Sequence, residues 1–445
     1  MPIVSRRSLG LILEGFASKL SPQKYSEIVA RLEHNNTKDA LAAEAELLVT
    51  WAISNIADVQ IEPSFENTSK RIDLASKDLL PSGPVALEIT ALSDDNFSGN
   101  ADMVRTANII SNHSNEIRSN SGKHLTFNFN ETRNPLQPFS RARAVDPKFE
   151  LTENSKVILK DWITSREWPN CPALRLIQGA TDVEIHCHSG EVIAPPKVFS
   201  TMPAVAYDLK DNPIYKAIEK KSKLQLAKLP KHMARCLVLV DVGSFILRNL
   251  WSGFGGGMEV TGKSIITAAL KRFDIDVIIA ISSQRENPFG YNVKSKLVWR
   301  ILVFDRRASL ATDEHDKLYL IANNLPPPVL DSFQARNLHK IGALKPQAEG
   351  NYLPTKIFIH PGGIEMTIKI SSRLVLEYFS QRIDGDRFKK EAFGEMPNLF
   401  EEFLRRGSTI QEATFENSGP AADDDYLNFK LSPDWAALGF AAKRG

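Results

Sequence analysis

Arg71-Ile-Asp-Leu-Ala75 and Pro84-Val-Ala-Leu-Glu-Ile-Thr-Ala-Leu92 decide the fold. With Val59-Gln-Ile61 before them they form short apolar runs, separated by the turn-rich stretches Asn67-Thr-Ser69 and Leu80-Pro-Ser-Gly-Pro84, which is the pattern of a strand meander. Alternation puts Ala86, Glu88 and Thr90 on one strand face and Leu87, Ile89 and Ala91 on the other. If the two strands pair, Glu88 and Thr90 look to the side that Asp73 faces. Two such charges also suit an ordinary solvated strand surface.

A third carboxylate comes from the run Leu41 to Ile56, whose apolar residues recur at helical spacing. Leu41, Leu48, Trp51 and Ala52 lie at i−3, i+4, i+7 and i+8 from Glu44, so Glu44 projects from the face expected to be buried. Glu46 is expected to point away, towards Thr50 and Ile53. A charge on a core face is costly unless it is bound to a cation or paired, here with an arginine at the helix boundary. Oxygen-only clusters suit Mg²⁺ or Mn²⁺, whereas zinc prefers nitrogen or sulfur.

Further on, Asn212 to Leu226 reads as a helix in which Ile214, Ile218, Lys221 and Gln225 share one face. Lys221 and Gln225 are thus polar groups on the isoleucine side, although Glu219-Lys-Lys-Ser-Lys223 is also what an exposed charged face looks like. Arg235-Cys-Leu-Val-Leu-Val-Asp241 follows as a buried strand.

The order of helix glutamate, strand Asp73, strand Glu88, helix and strand resembles the PD-(D/E)XK nuclease superfamily. The resemblance covers roughly 40–92 and 212–242, with about 120 residues inserted between them. Thr90 stands where the superfamily carries its lysine, and Ile72 where it carries a proline. The resemblance implies an α/β chain with a restriction-endonuclease-like mixed sheet flanked by helices, a large β-rich insertion and a C-terminal α+β extension. It implies Mg²⁺ or Mn²⁺ held by Asp73 and Glu88, with Glu44 positioning the attacking water or a second metal. Lys221, beside Gln225, then supplies the missing lysine from the following helix. The activity implied is metal-dependent endonucleolytic hydrolysis of DNA, in anti-phage defence or restriction. DNA is the expected partner, with a defence-system protein or a second copy of the chain as further candidates. Thr90 keeps a rival open, a nuclease-fold scaffold without activity that binds nucleic acid or protein.

Residues 1–122 are read as N-terminal helices and the first half of this core, 123–211 as the inserted β-rich unit, 212–335 as the second half with an α/β extension, and 336–445 as an α+β region with a flexible tail. Within them, 131–155, rich in Pro, Arg and Asn, is expected to be a loop, and 426–445 a tail that docks or stays mobile. With 445 residues, two or three structural units are expected.

The formal net charge of +2 leaves nucleic-acid binding to local basic patches. Arg133, Arg141, Arg143 and Lys148 make one such patch, and the lysine-rich run from Lys216 to Lys231 another. Cys171, Cys187 and Cys236 are odd in number and widely spaced, which fits a reducing compartment. No apolar leader or membrane-length stretch is present, so a cytoplasmic protein is expected.

Two other motifs compete. Gly257-Met-Glu-Val-Thr-Gly262-Lys263-Ser264 matches a phosphate loop letter for letter and opens a helix, which would let its amides cradle a nucleotide's phosphates. Context argues against it, because the nearest strand ends about fifteen residues earlier at Asp241. In His186-Cys187-His188 the two histidines share a strand face and the cysteine opposes them, so the three cannot chelate one ion.

Overall fold

The computed structural model describes residues 3–436 apart from 35, 66–70, 98, 135–136, 166, 189–196, 202–205, 207, 252–259, 287–295, 307–309, 339–354, 360–364, 394–396, 420–423 and 435. It is of the mixed α/β class. Helices α1 (Arg6–Phe16), α2 (Pro22–Leu32) and α3 (Thr37–Ser54) come first. The side chains of Ser5, Ser21 and Asn36 cap their first free amides.

The meander follows as β1 (Val59–Ile61), β2 (Leu74–Leu80) and β3 (Gly83–Leu92). The sequence expectation for the middle strand is corrected: β2 begins at Leu74, so Asp73 precedes the strand instead of lying inside it.

Between β3 and α6 (Pro213–Leu224) lie α4 (Asn100–Ile117), β4 (Leu125–Phe129), β5 (Glu131–Asn134), β6 (Gln137–Arg143), α5 (Glu153–Thr164), β7 (Leu174–Gln178), β8 (Thr181–Cys187) and β9 (Lys197–Ser200). The loop expected at 131–155 therefore contains an antiparallel strand pair and the start of a helix. Its polar composition lacks the apolar alternation by which a strand is recognised. β7, β8, β4 and β9 make a four-stranded sheet whose core, around Phe127, Phe129, Ile110 and Leu159, is shared with α4 and α5.

The chain continues through β10 (Ala234–Asp241), α7 (Phe245–Arg248), α8 (Gly262–Arg272), β11 (Val277–Arg285), β12 (Leu297–Asp305), α9 (Thr312–Asn324) and α10 (Ser332–Leu338). β13 (Thr355–Ile359), β14 (Met366–Ser371), α11 (Ser372–Phe379), α12 (Gly385–Phe393), α13 (Leu399–Arg405), β15 (Ser408–Glu416) and β16 (Tyr426–Pro433) complete it. β16 lies between β14 and β15 in a second four-stranded sheet, so the first part of the expected tail is a central strand.

The principal sheet has the order β1-β2-β3-β10-β11-β12. β3, β10 and β11 run parallel, and every other neighbouring pair is antiparallel. Both faces of its centre are covered, which is why β10 reads as a continuous apolar run. Leu87, Ile89, Val238, Val240 and Ile279 pack under α1, α3 and α9 on one side. Ala86, Leu237, Leu239 and Ile278 pack under α6 and α8 on the other. Alternation along β3 therefore turns Glu88 to the α6 side. Among the described residues no helix is long and apolar enough to cross a membrane.

Candidate functional site

β2 and β3 pair from Leu80↔Gly83 to Leu74↔Leu87, while β3 stays paired with β10 as far as Leu92↔Asp241. Past Leu87, β3 thus has a strand neighbour on one side only, and the sheet opens into a fork. An unmatched backbone N–H there would be costly. Asp73, the residue just before β2, fills the place of the missing strand: its Oδ2 accepts the N–H of Ile89 at 2.7 Å. Its own carbonyl accepts the N–H of Glu62 at 2.9 Å.

Glu88, fully buried, sits inside the fork. Its Oε2 accepts a hydrogen bond from Lys221 Nζ at 2.5 Å, across 133 residues of sequence. Oε1 is buried and, among the described residues, makes no hydrogen bond. Burial pushes the Glu88 carboxyl up to about 8, with the neighbouring Asp73 charge adding to the rise and Lys221 opposing it. Asp73, Glu88 and Lys221 therefore meet, from the start of β2, the middle of β3 and the third turn of α6. Gln225 ends α6, its N–H on the Lys221 carbonyl at 3.1 Å. Among the described residues its side chain makes no hydrogen bond, so it is not tied to the carboxylates.

The helix carboxylate beside Asp73 is Glu46. It lines a cavity of about 20 Å³ together with Asp73, Thr50, Lys24 and Arg31, room for one water-sized species. Burial raises its carboxyl, against the pull of Arg31 at 2.8 Å and with a push from Asp73. Glu44, also fully buried, does other work: its Oε1 accepts the backbone N–H groups of Ile3 at 2.8 Å and Val4 at 3.0 Å. It fastens the segment that runs on to pair with Pro328 and Val329. Glu44 is buried, as its helical spacing predicts, and Glu46 lies towards Thr50; what the spacing does not predict is that Glu46 is the glutamate beside Asp73. α3 is buried on nearly every side, under α1, α2, α9 and the sheet, so the apolar face that helical spacing picks out is not a single face.

Thr90 is on the Glu88 side of β3, with its Oγ1 buried and without a hydrogen bond. It borders a second cavity, of about 200 Å³, shared with Lys221, Lys38, Ser93, Asp95 and Arg336. Nothing in the sequence marks Lys38 or Arg336. A lysine near a helix start and an arginine 115 residues beyond Lys221 carry no spacing signal linking them to the site.

The phosphate-loop motif takes a different shape. Gly257 lies outside the described residues. α7 intervenes between β10 and the helix that the motif opens, α8. The N–H of Lys263 is bonded to the Leu250 carbonyl at 3.0 Å and that of Ser264 to Thr261 Oγ1 at 3.2 Å, so neither amide is offered to a phosphate. Lys263 Nζ rests 4.1 Å above the Trp251 ring. A Cβ on Gly262 would come within 2.5 Å of Leu250 Cδ2 and 2.8 Å of the Ile246 carbonyl oxygen, so this glycine lets α8 pack against α7. Calorimetry with ATP and GTP should accordingly give no micromolar binding in the natural sequence and no change in Lys263→Ala. Micromolar affinity lost in that variant would restore the phosphate loop.

His186 Nε2 lies 3.6 Å from Glu184, and His188 Nε2 is hydrogen-bonded to Thr126 Oγ1 at 2.8 Å, separate engagements that leave no common ligand position. Of the first basic patch, Arg143 is half-buried with its guanidinium 5.8 Å from the Phe97 ring centre, and the side chains of Arg133 and Arg141 lie outside the described residues. Among the described residues no group of three or more His, Cys, Asp or Glu side chains is arranged to hold a metal ion. Comparison with protein-family models, with curated proteins and with solved structures finds no match to this chain.

Proposed function

We propose that this protein is a metal-dependent nuclease with a restriction-endonuclease-like core, hydrolysing phosphodiester bonds of DNA. The observation that carries the reading is the meeting of Asp73, Glu88 and Lys221 at the fork between β2 and β3. The order of elements supports it: a helix, an antiparallel meander, a second helix on the other face, and a strand parallel to the third.

Two carboxylates, one with an oxygen that makes no hydrogen bond, fit Mg²⁺ or Mn²⁺, which keeps most of its waters and takes only one or two protein ligands. Such an ion, when bound, supplies Lewis acidity towards phosphate and water. Asp73 is pre-positioned by the Ile89 amide, so its carboxylate needs no reorganisation to receive a cation. Lys221 brings the positive charge that Thr90 lacks. From beside Glu88 its ammonium donates to a non-bridging oxygen of the reacting phosphate, where negative charge grows in the transition state. Glu46, with a raised carboxyl next to Asp73, is suited to accept a proton from the attacking water.

The inactive scaffold is favoured by one feature, the direct contact of Lys221 Nζ with Glu88 Oε2, which already gives the buried carboxyl a partner. Proton release separates the two readings. At pH 7 a Glu88 carboxyl held near 8 is mainly protonated, so loading the site with Mn²⁺ should release about one proton per chain, falling to about half near pH 8 and to little above pH 9. Calorimetry in two buffers of different ionisation enthalpy reads this number. No release at pH 7 would remove the metal site. The linkage has a second reading. Because the folded-state pKa of Glu88 lies above its unfolded value of 4.5, the metal-free fold is most favoured below that value and loses this contribution as pH rises through about 8. Mn²⁺ should therefore raise the melting temperature more at pH 8 than at pH 5.

A further inference from the structure

The cavity of about 200 Å³ beyond Thr90 is chemically unlike the carboxylate fork beside it. Among the described residues Lys38, Lys221 and Arg336 border it, against one carboxylate, Asp95. Leu41, Ala42 and Val242 supply apolar walls, which strengthen any charge interaction inside. Lys38 belongs to the first turn of α3, the end at which a helix is electropositive.

Arg336 is half-buried and held by the backbone: Nη1 donates to the Gly243 carbonyl at 3.0 Å and lies 3.5 Å from Asp95. Gly243 has φ +124°, and a Cβ there would come within 2.8 Å of Arg336 Cδ, so the glycine is what lets the guanidinium reach the cavity wall. Thr90 contributes a buried hydroxyl with no hydrogen-bond partner. A set of cations with a waiting hydroxyl is suited to an anion with several oxygens.

We propose that this cavity binds a phosphate group of the nucleic-acid strand, adjacent to the phosphate at Asp73 and Glu88, through Lys38, Arg336 and the Thr90 hydroxyl. The inference rests on the nuclease reading. Thr90 is two residues along β3 from Glu88, roughly 7 Å at the rise of a strand, which is about one step along a nucleic-acid backbone. A free nucleotide would offer the same phosphate chemistry, and the test distinguishes the two sources.

The full-length protein is titrated into a fluorescein-labelled DNA duplex, in EDTA so that nothing is cut, over a range of salt concentrations. Lys38→Ala and Arg336→Gln are each expected to weaken binding about tenfold and to lower the slope of log affinity against log salt by about one, as loss of one phosphate contact does. Thr90→Val, which keeps the shape and removes the hydroxyl, is expected to weaken binding about threefold at unchanged slope. If Arg336→Gln fails to fold, the exposed Lys38 and the isosteric Thr90 variant still decide. Unchanged slopes and affinities in these variants overturn the inference. So does micromolar ATP binding that is lost in Arg336→Gln while the DNA slope stays the same, since the cavity would then serve a nucleotide. Plasmid cleavage is scored on the same preparations. Altered slopes in a protein that cuts nothing would keep the cavity and sink the nuclease, whereas cleavage with unchanged slopes would do the reverse.

Discussion

Asp73→Asn and Glu88→Gln should each abolish Mg²⁺-dependent cleavage of plasmid or linear DNA while leaving the melting temperature of the metal-free protein unchanged or slightly higher. The two halves of this expectation have one cause. Burial and the charge of Asp73 both work against ionised Glu88, so without a cation the pair opposes folding at neutral pH. Removing either charge relieves that repulsion and at the same time halves the cation's anionic ligands. Asp73→Asn keeps an oxygen that can accept the Ile89 N–H, so the fork retains its closing hydrogen bond. A natural protein that cuts no DNA with Mg²⁺ or Mn²⁺ leaves the scaffold. Activity that survives both substitutions puts the chemistry elsewhere in the molecule. A fall in melting temperature of many degrees in Asp73→Asn would mean that the carboxylate serves the strand fork and little else.

The second large effect concerns Lys221. Lys221→Ala should slow cleavage by roughly two to four orders of magnitude, the scale seen on removing one preorganised donor at the transition state. Lys220→Ala and Lys223→Ala are the controls. Lys220 is exposed and Lys223 pairs with Glu219 on the outer face of α6, so both changes should affect only the salt dependence of binding. Thr90→Lys in the Lys221→Ala background should restore part of the rate, because both positions border one cavity on the Glu88 side of β3. A pH signature accompanies the loss. Lys221 is the group that lowers the Glu88 pKa, so its removal raises that pKa further, and metal binding should need a higher pH. A Lys221→Ala variant with normal rate and normal pH dependence would mark the ion pair as purely structural.

Much of this site could be read from the chain because its carriers are local. Asp73 and Glu88 lie within a meander whose turns and alternation are explicit, and Lys221 falls on the isoleucine face of an isolated amphipathic helix, α6. Which helix glutamate stands beside Asp73 is not legible in the sequence, because α3 is surrounded. When Ala43, Glu44, Leu47, Leu48 and Thr50 are all buried, periodicity has no exposed side to contrast with, and only the tertiary arrangement decides which carboxylate meets Asp73. Burial alone did not discriminate either. Glu44 is as buried as a metal ligand, yet its oxygen is satisfied by two backbone amides some forty residues earlier. Arg336 was invisible for a related reason, since it reaches the cavity through a glycine with positive φ almost a hundred residues before it. The phosphate-loop letters at 257–264 show the converse. A motif can be complete in sequence while its amides are already spent on a helix cap and a neighbouring turn.

The 133 residues between Glu88 and Lys221 set a clock on the molecule. A ribosome adding about 5–20 residues each second needs on the order of ten seconds to pass from one to the other. Throughout that interval the emerging chain carries its carboxylates without their counter-cation, and β3 lacks the parallel neighbour that only β10 can give. The stretch in between has a core of its own, built on Phe127, Phe129, Val183 and Ile185. Condensing first, it would shorten the span that must still be closed, which matters because joining distant strands is the slow step of such topologies. A refolding experiment should therefore show two stages, early burial of the intervening aromatic residues and a later return of cleavage. On the nuclease reading the growing chain would stay inert until β10 has docked beside β3, and cutting capacity would arrive late.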